Sequence, residues 1–322
     1  MTLTGKLLTA GITVGGVLGA FTIYNKVTET MAGELDTVLK GEERRYPWKD
    51  GDMYYQVKGA RNAKPLLLIH SFGPGASSYE WRKNVDALAE QFRVYTVDLM
   101  GFGLSDRPPI DYAAETFADL IGDFIKEVIG KPTVVVAHGM PCAYVIANAF
   151  RRPQLFDRLV LVAPPPIILQ ETVLGSGNTL WKTILRLPIV GQFIYNLLTT
   201  RQAIRGYYER QGYHNPNLIR DELVEYIYTS AHQPNSRYPM ASFLSNYLTL
   251  DVHEPLNRLQ VPTILVWGRE SLTSPTEVTE AFKRVNPRVE IRILDRCSFE
   301  AQDEQAANFN NLIKEFATTP VK

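Results

Sequence analysis

Val134–Ala143, VVVAHGMPCA, passes from a β-branched run to a helix-forming one in one sharp step at Gly139. A short, continuous apolar run fits a strand buried on both faces of a parallel sheet. Pro141 suits the first turn of a helix, where its missing N–H costs nothing. The segment therefore predicts a strand over Thr133–Ala137, a tight turn, and a helix over Pro141–Phe150. The alternation extends outward in both directions. Upstream, Pro65–His70 and Arg93–Leu99 read as strands, Tyr79–Phe92 and Ala114–Ile129 as helices. In the last of these, Phe117, Leu120, Ile121, Phe124, Ile125 and Val128 keep the three-and-four spacing of one buried face. Downstream, Leu159–Ala163, Thr263–Trp267 and Val289–Leu294 read as strands, with helices over Thr276–Val285 and Glu304–Phe316. Tyr46–Trp48 and Met53–Val57 read as a hairpin around Asp50-Gly51. Strands alternating with helices imply a doubly wound, mostly parallel α/β sheet.

The alternation breaks at Pro164-Pro165-Pro166. Residues 164–250 carry helical patterning and many aromatics. They predict a helical lid inserted into an α/β core formed by residues 46–163 and 251–322, over the carboxyl edge where open sheets keep their ligands. Within it, Leu180–Leu198 is apolar and broken by Pro188 and Gly191, which fits helices packed over a pocket.

At the other end, Leu7–Tyr24 (LLTAGITVGGVLGAFTIY) carries no charge between Lys6 and Lys26. At about 1.5 Å per residue it reaches the lower limit for crossing about 30 Å of hydrocarbon. Gly11, Gly15 and Gly19 form a stripe that lets another helix approach closely in lipid. Residues 1–27 are expected to be a single-pass membrane anchor, on a side the few lysines do not fix. Residues 28–45 are expected to be a polar linker with a short helix over Met31–Leu39. A signal peptide and a soluble helix are the competing readings; the weak cleavage site at Thr30-Met31-Ala32 and the four glycines count against them. Thirty-four basic residues balance thirty-four acidic ones, so no field favours nucleic acid, and none is expected as a partner. Cys142 and Cys297 form neither a disulfide framework nor a metal spacing, and no metal or other cofactor is expected.

The succession LLLIHSFGPGASSYEW (Leu66–Trp81), VYTVDLMGFGLSDRP (Val94–Pro108), the turn at Gly139 and VPTILVWGRE (Val261–Glu270) resembles the α/β-hydrolase superfamily over roughly residues 46–318. It looks most like the membrane-tethered, lid-bearing hydrolase-like proteins of phototrophic bacteria and plastids. The resemblance implies a nucleophile at the centre of G-x-S-x-G, then an acid, then a histidine. Here the five elbow positions are Ala137, His138, Gly139, Met140 and Pro141. Ser271 stands where W-G-x-x-D places the acid, and Phe299 where the histidine belongs. A slip in register would leave Glu270 as the acid. Two facts survive any slip: Thr133–Phe150 contains no serine, and no histidine follows His253.

The remaining candidates have plainer readings. Cys142, on the first helical turn, fits core packing better than a nucleophile. His138 has no serine near it in the chain and would be a lone base. His70, opening H-S-F-G with Ser71, corresponds to the loop that supplies an oxyanion N–H, and the resemblance gives it a bracing role. The backbone donors near Phe72 and at Met140 should survive as an anion or carbonyl cradle. Pocket candidates are thus His70, Ser71, His138, Gly139 and Phe299. His214, His232 and His253 match no metal spacing, and Asp98 and Asp106 fit turn bracing. The leading expectation is a catalytically inactive, membrane-anchored protein, tethered through residues 7–24 and serving as subunit or scaffold for other membrane subunits. The alternatives are a binding protein for an apolar small molecule and an ester-type hydrolase with a non-standard active site. A serine or cysteine beside a carboxylate–histidine pair in space would favour the last.

Overall fold

The computed structural model describes residues 3–166 and 179–319, with side chains from residue 15 onward. Eight strands form one sheet: β1 (Glu42–Trp48), β2 (Gly51–Lys58), β3 (Lys64–Ile69), β4 (Phe92–Val97), β5 (Thr133–His138), β6 (Phe156–Val162), β7 (Thr263–Gly268) and β8 (Glu290–Leu294). Their order is β1-β2-β4-β3-β5-β6-β7-β8. β1 and β2 pair antiparallel, as does β2 with β4; every other pairing is parallel.

The apolar runs become strands because both faces are covered. Successive side chains alternate across a strand. Leu67, Ile69, Val135, Ala137, Leu159 and Leu161 join one core with Phe117 and Phe124 of α3 (Ala114–Phe124) and Tyr144 of α4 (Pro141–Arg151). Leu66, Leu68, Val134, Val136, Val160 and Val162 join the other with Trp81, Phe309 and Ile313. Each fully buried Leu, Val or Phe contributes about 1.5–3 kcal/mol, so the central strands anchor the fold.

Some elements differ from expectation. Tyr79–Phe92 is not one helix: a 3₁₀ turn over Ser78–Trp81 precedes the short α2 (Val85–Ala89), and β4 already begins at Phe92. Between β6 and β7 lie six described α-helices: α5 (Thr179–Arg186), α6 (Val190–Leu198), α7 (Arg201–Tyr207), α8 (Asp221–Ala231), α9 (Arg237–Leu244) and α10 (His253–Asn257).

The N-terminal region departs further. One helix, α1, runs over Leu3–Ala32, and Gly33 at φ 71° ends it, so no helix forms over Met31–Leu39. Residues 28–45 are no free linker. Thr28 and Ala32 are buried, the Thr229 hydroxyl donates to the Ala32 carbonyl, and Glu42 already starts β1. Phe21 stacks on Phe193 of α6 at 3.8 Å, and Asn25 bonds Ile189 and Asn196. Residues 7–14 of the expected anchor lie outside the residues whose side chains are described. Among the described residues no helix is long and apolar enough to cross a membrane.

Candidate functional site

The loops after β3, β5, β7 and β8 meet at the carboxyl edge of the sheet, the usual ligand face of such sheets. The turn after β5 keeps its sharp geometry. Gly139 has φ 63°, a conformation that costs glycine nothing and other residues strain. A Cβ there would meet Phe299 Cζ at 3.3 Å and Ser71 Cβ at 3.4 Å. Phe299 therefore closes over the bare turn, its ring 4.3 Å from that of His138. Ser271 is buried, and its hydroxyl accepts the Ser274 N–H at 3.2 Å. Glu270 accepts the N–H groups of Arg296 and Cys297, bracing the loop after β8. Gly139, Ser271 and Phe299 thus build packing and turns.

A second group lies beside them. Ser71 donates its N–H at 2.9 Å and its hydroxyl at 2.8 Å to Glu80 Oε2. Glu80 Oε1 is 2.8 Å from His138 Nδ1. Burial alone would raise the Glu80 carboxyl, but the His138 charge and hydrogen bond and the Ser71 N–H outweigh it and hold Glu80 below its usual range. Burial likewise disfavours a charged His138, and Glu80 more than compensates, raising the imidazole above its ordinary value. Both shifts favour the ion-paired form, a Glu80 carboxylate facing a charged His138. His138, expected as a lone base, is therefore held by Glu80.

Glu300 completes the group. Gln302 Nε2 donates to Glu300 Oε2 at 2.8 Å and to Glu80 Oε1 at 3.3 Å, and lies 3.2 Å from His138 Nδ1. Burial, helped by the repelling charges of Glu80 and Asp303, outweighs the attraction of His138 and pushes Glu300 up to about 8. Glu80, His138 and Glu300 offer metal-ligand atoms within 4.8 Å of one another. The Gln302 amide already bridges the two carboxyl groups, so the group is organised by Gln302 as it stands.

Of this group Ser71, Glu80 and Glu300 line a cavity of about 420 Å³, within the size range of small-molecule sites. Ser71, Glu80, Phe299 and Glu300 line one end; Tyr79, Tyr207, Tyr208 and Tyr213 form aromatic walls; Leu198, Ile204, Leu223 and Ile227 of the helical insertion cover it. His70 lies just behind. Its Nε2 accepts the Leu99 N–H at 3.0 Å and its Nδ1 donates to the Ser71 carbonyl at 2.7 Å, which fixes the loop. Among the described residues the N–H groups of Phe72 and Met140 bond no acceptor. Cys142 is sealed in the core, its thiol raised by burial. His214 and His253 are exposed, while His232 bonds Tyr228 and Thr199 inside the insertion. Asp98 accepts the Ser78 and Leu104 N–H groups, and Asp106 that of Asp52.

Glu80 and Glu300 escaped the sequence. Glu80 lies on the 3₁₀ turn and meets His138 from 58 positions away. The one local signal was Ser71, standing where the H-G loop has glycine.

The family model described as alpha/beta hydrolase fold matches residues 64–306. A 2-hydroxy-6-oxononadienedioate/2-hydroxy-6-oxononatrienedioate hydrolase of Cupriavidus pinatubonensis is 25% identical, over 86% of this chain and 95% of its own. Epoxide hydrolase 3 of Xenopus tropicalis is 23% identical, over 82% of this chain and 74% of its own. A solved serine hydrolase involved in carbazole degradation superposes with a TM-score of 0.70 at 22% identity, over 85% of this chain and 97% of that one. With the model spanning most of its length, the chain belongs to the α/β-hydrolase fold family.

Proposed function

We propose that this chain is an ester-type hydrolase with a non-standard site, in which Ser71 on the loop after β3 is the nucleophile and Glu80 its base. The carrying observation is the hydroxyl of Ser71 bonded at 2.8 Å to a carboxylate that is itself bonded to His138, at the floor of a cavity. A serine beside an oriented base is the arrangement nucleophilic catalysis requires. The open cavity also argues against a scaffold role, which a filled pocket would suit.

The chemistry runs through one carboxylate. Ser71 Oγ attacks the ester carbonyl carbon while its proton passes to Glu80 Oε2. The bond to the alcohol oxygen breaks, and Glu80 returns the proton to that oxygen. Water then attacks the acyl-Ser71 ester, gives a proton to Glu80, and Glu80 passes it to the departing Ser71 Oγ. His138 holds and orients Glu80 throughout, the part an acid plays for histidine in the usual triad. The N–H groups of Phe72 and Met140 supply the oxyanion donors. Aromatic and aliphatic walls select an apolar acyl or alcohol group.

The test is an ester panel with the full chain and its Ser71→Ala variant. Turnover lost in Ser71→Ala supports the reading. Because His138 holds Glu80 below the usual carboxylate range, the acid limb of the pH–rate profile should lie below that of an ordinary glutamate, where a histidine base would give one near ~6.5. No turnover, or an acid limb at the histidine value, sinks it.

A second reading keeps the cavity and drops the turnover: a binding protein for an apolar small molecule. The ring of Phe299 over Gly139 favours it, since an apolar lid on the old nucleophile position suits retention of a ligand.

A further inference from the structure

The cavity contains one carboxyl group that the ester chemistry leaves idle. Glu300 is 7% exposed and lines the cavity. Gln302 binds its Oε2, and among the described residues its Oε1 accepts no hydrogen bond. His138 lies within 4.8 Å of Glu300 but is bonded to Glu80, and the other charges at the cavity are paired. Glu80 faces His138. Asp303 holds Arg82 and Lys83 and accepts the Tyr213 hydroxyl at 2.7 Å. Arg82, the cavity's cation, also lies over the Tyr79 ring at 4.6 Å, so both its charge and its planar face are in use.

The aromatic walls stand on the same side. Tyr207 and Tyr208 meet edge to face at 5.4 Å, and Tyr208 meets Tyr213 at 5.6 Å. Aromatic faces attract organic cations through their quadrupoles, most strongly where water is excluded. A carboxyl group with one free oxygen beside such rings is a receptor for positive charge. An anionic ligand would have to pull Arg82 away from Asp303 and leave that aspartate to Lys83 alone.

We infer that the substrate carries an alkylammonium group, held by Glu300 and the Tyr207–Tyr208 rings at the end of the cavity that floors on Ser71. The inference uses the same site as the proposed hydrolase but does not depend on turnover. In the empty cavity burial keeps Glu300 protonated at neutral pH, so no lone anion is buried. A bound cation makes the ionised form favourable, and the proton leaves to solvent as the ion pair forms.

The test is titration calorimetry of the full chain with hexyltrimethylammonium, hexanol and hexanoate, at pH 7 in two buffers of different ionisation heat. The ammonium probe should bind at least about tenfold more tightly than hexanol, with release of close to one proton. Glu300→Gln, isosteric with the protonated acid, should lose about that tenfold and the proton release, and leave hexanol binding unchanged. Tyr207→Leu, at a partly exposed position of the cavity wall, gives a second variant that keeps the buried cluster intact and should weaken ammonium binding severalfold. Hexanoate as the tightest ligand, equal binding of all three, no ammonium binding, or a Glu300→Gln variant that binds ammonium like the wild type each overturns the inference. Ammonium binding without ester turnover sinks the hydrolase reading alone; turnover without ammonium preference sinks this one alone.

Discussion

The turn after β5 and the loop after β3 face each other so closely that a Cβ added to Gly139 would lie 3.4 Å from that of Ser71, and burial has treated them in opposite ways. Gly139 at the turn, Phe299 over it and Ser271 after β7 carry no charge. Glycine relieves the strained backbone, and the phenylalanine ring fills the opening. At the loop, Glu80, His138 and Glu300 bring charge and protons into the same water-poor cleft, each held by a named partner. Burying a charge is costly unless it is paired. Such a group persists where something offsets that cost, and its place at a cavity floor points to chemistry there. In the proposed hydrolase the working groups stand beside the bare turn rather than on it.

The comparison breaks most easily at Glu80. Glu80→Ala leaves the His138 charge and the Ser71 N–H without partners, and should cost about 3–5 kcal/mol of unfolding free energy by denaturant titration. A loss no larger than a surface mutation's would mean the pair is not the buried ion pair described. Glu300 gives the next effect, and its sign follows from proton counts. Its folded value, raised to about 8 from 4.5, means that the native state holds a proton the unfolded chain has already released. Stability should therefore fall as pH rises between those values, by up to about 1.4 kcal/mol per pH unit, and Glu300→Gln should flatten that slope. An unchanged slope would place the ionised form in the native state.

Two variants sharpen the other side. Gly139→Ser puts a Cβ at φ 63° against Phe299. It should cost about 1–3 kcal/mol and restore no histidine-based turnover, since Phe299 cannot take a proton. A more stable variant would contradict the strain argument. Ser271→Ala removes a single turn bond and should cost about 1 kcal/mol or less by thermal melting.

How much of this was legible in the sequence follows from range. Buried strands such as Val134–Val136 and Leu66–Ile69 are readable because a continuous apolar run has few other uses. Gly139 and Phe299 are readable because their motifs are local. Tyr79–Phe92 was misread as one helix because its apolar spacing fits three-and-four repeats, yet Asn84 interrupts it, its amide taken up by Gln302 and Asn310. Glu80 and Glu300 could not be read at all. They meet through His138 and Gln302 only once four loops converge, and nothing nearby in the chain separates them from the other glutamates. The N-terminal helix adds contacts of the same kind: the uncharged stretch Leu7–Tyr24 is legible as a stretch, but the packing of Phe21, Asn25 and Ala32 on the insertion is long-range and is not.

The most direct measurement exposes the full chain to an alkyl fluorophosphonate, which modifies activated serine hydroxyls, and maps the adduct by peptide mass. The account predicts modification at Ser71, abolished in Glu80→Gln. Labelling elsewhere, or an unmodified Ser71 in a folded protein that turns over no ester, contradicts it.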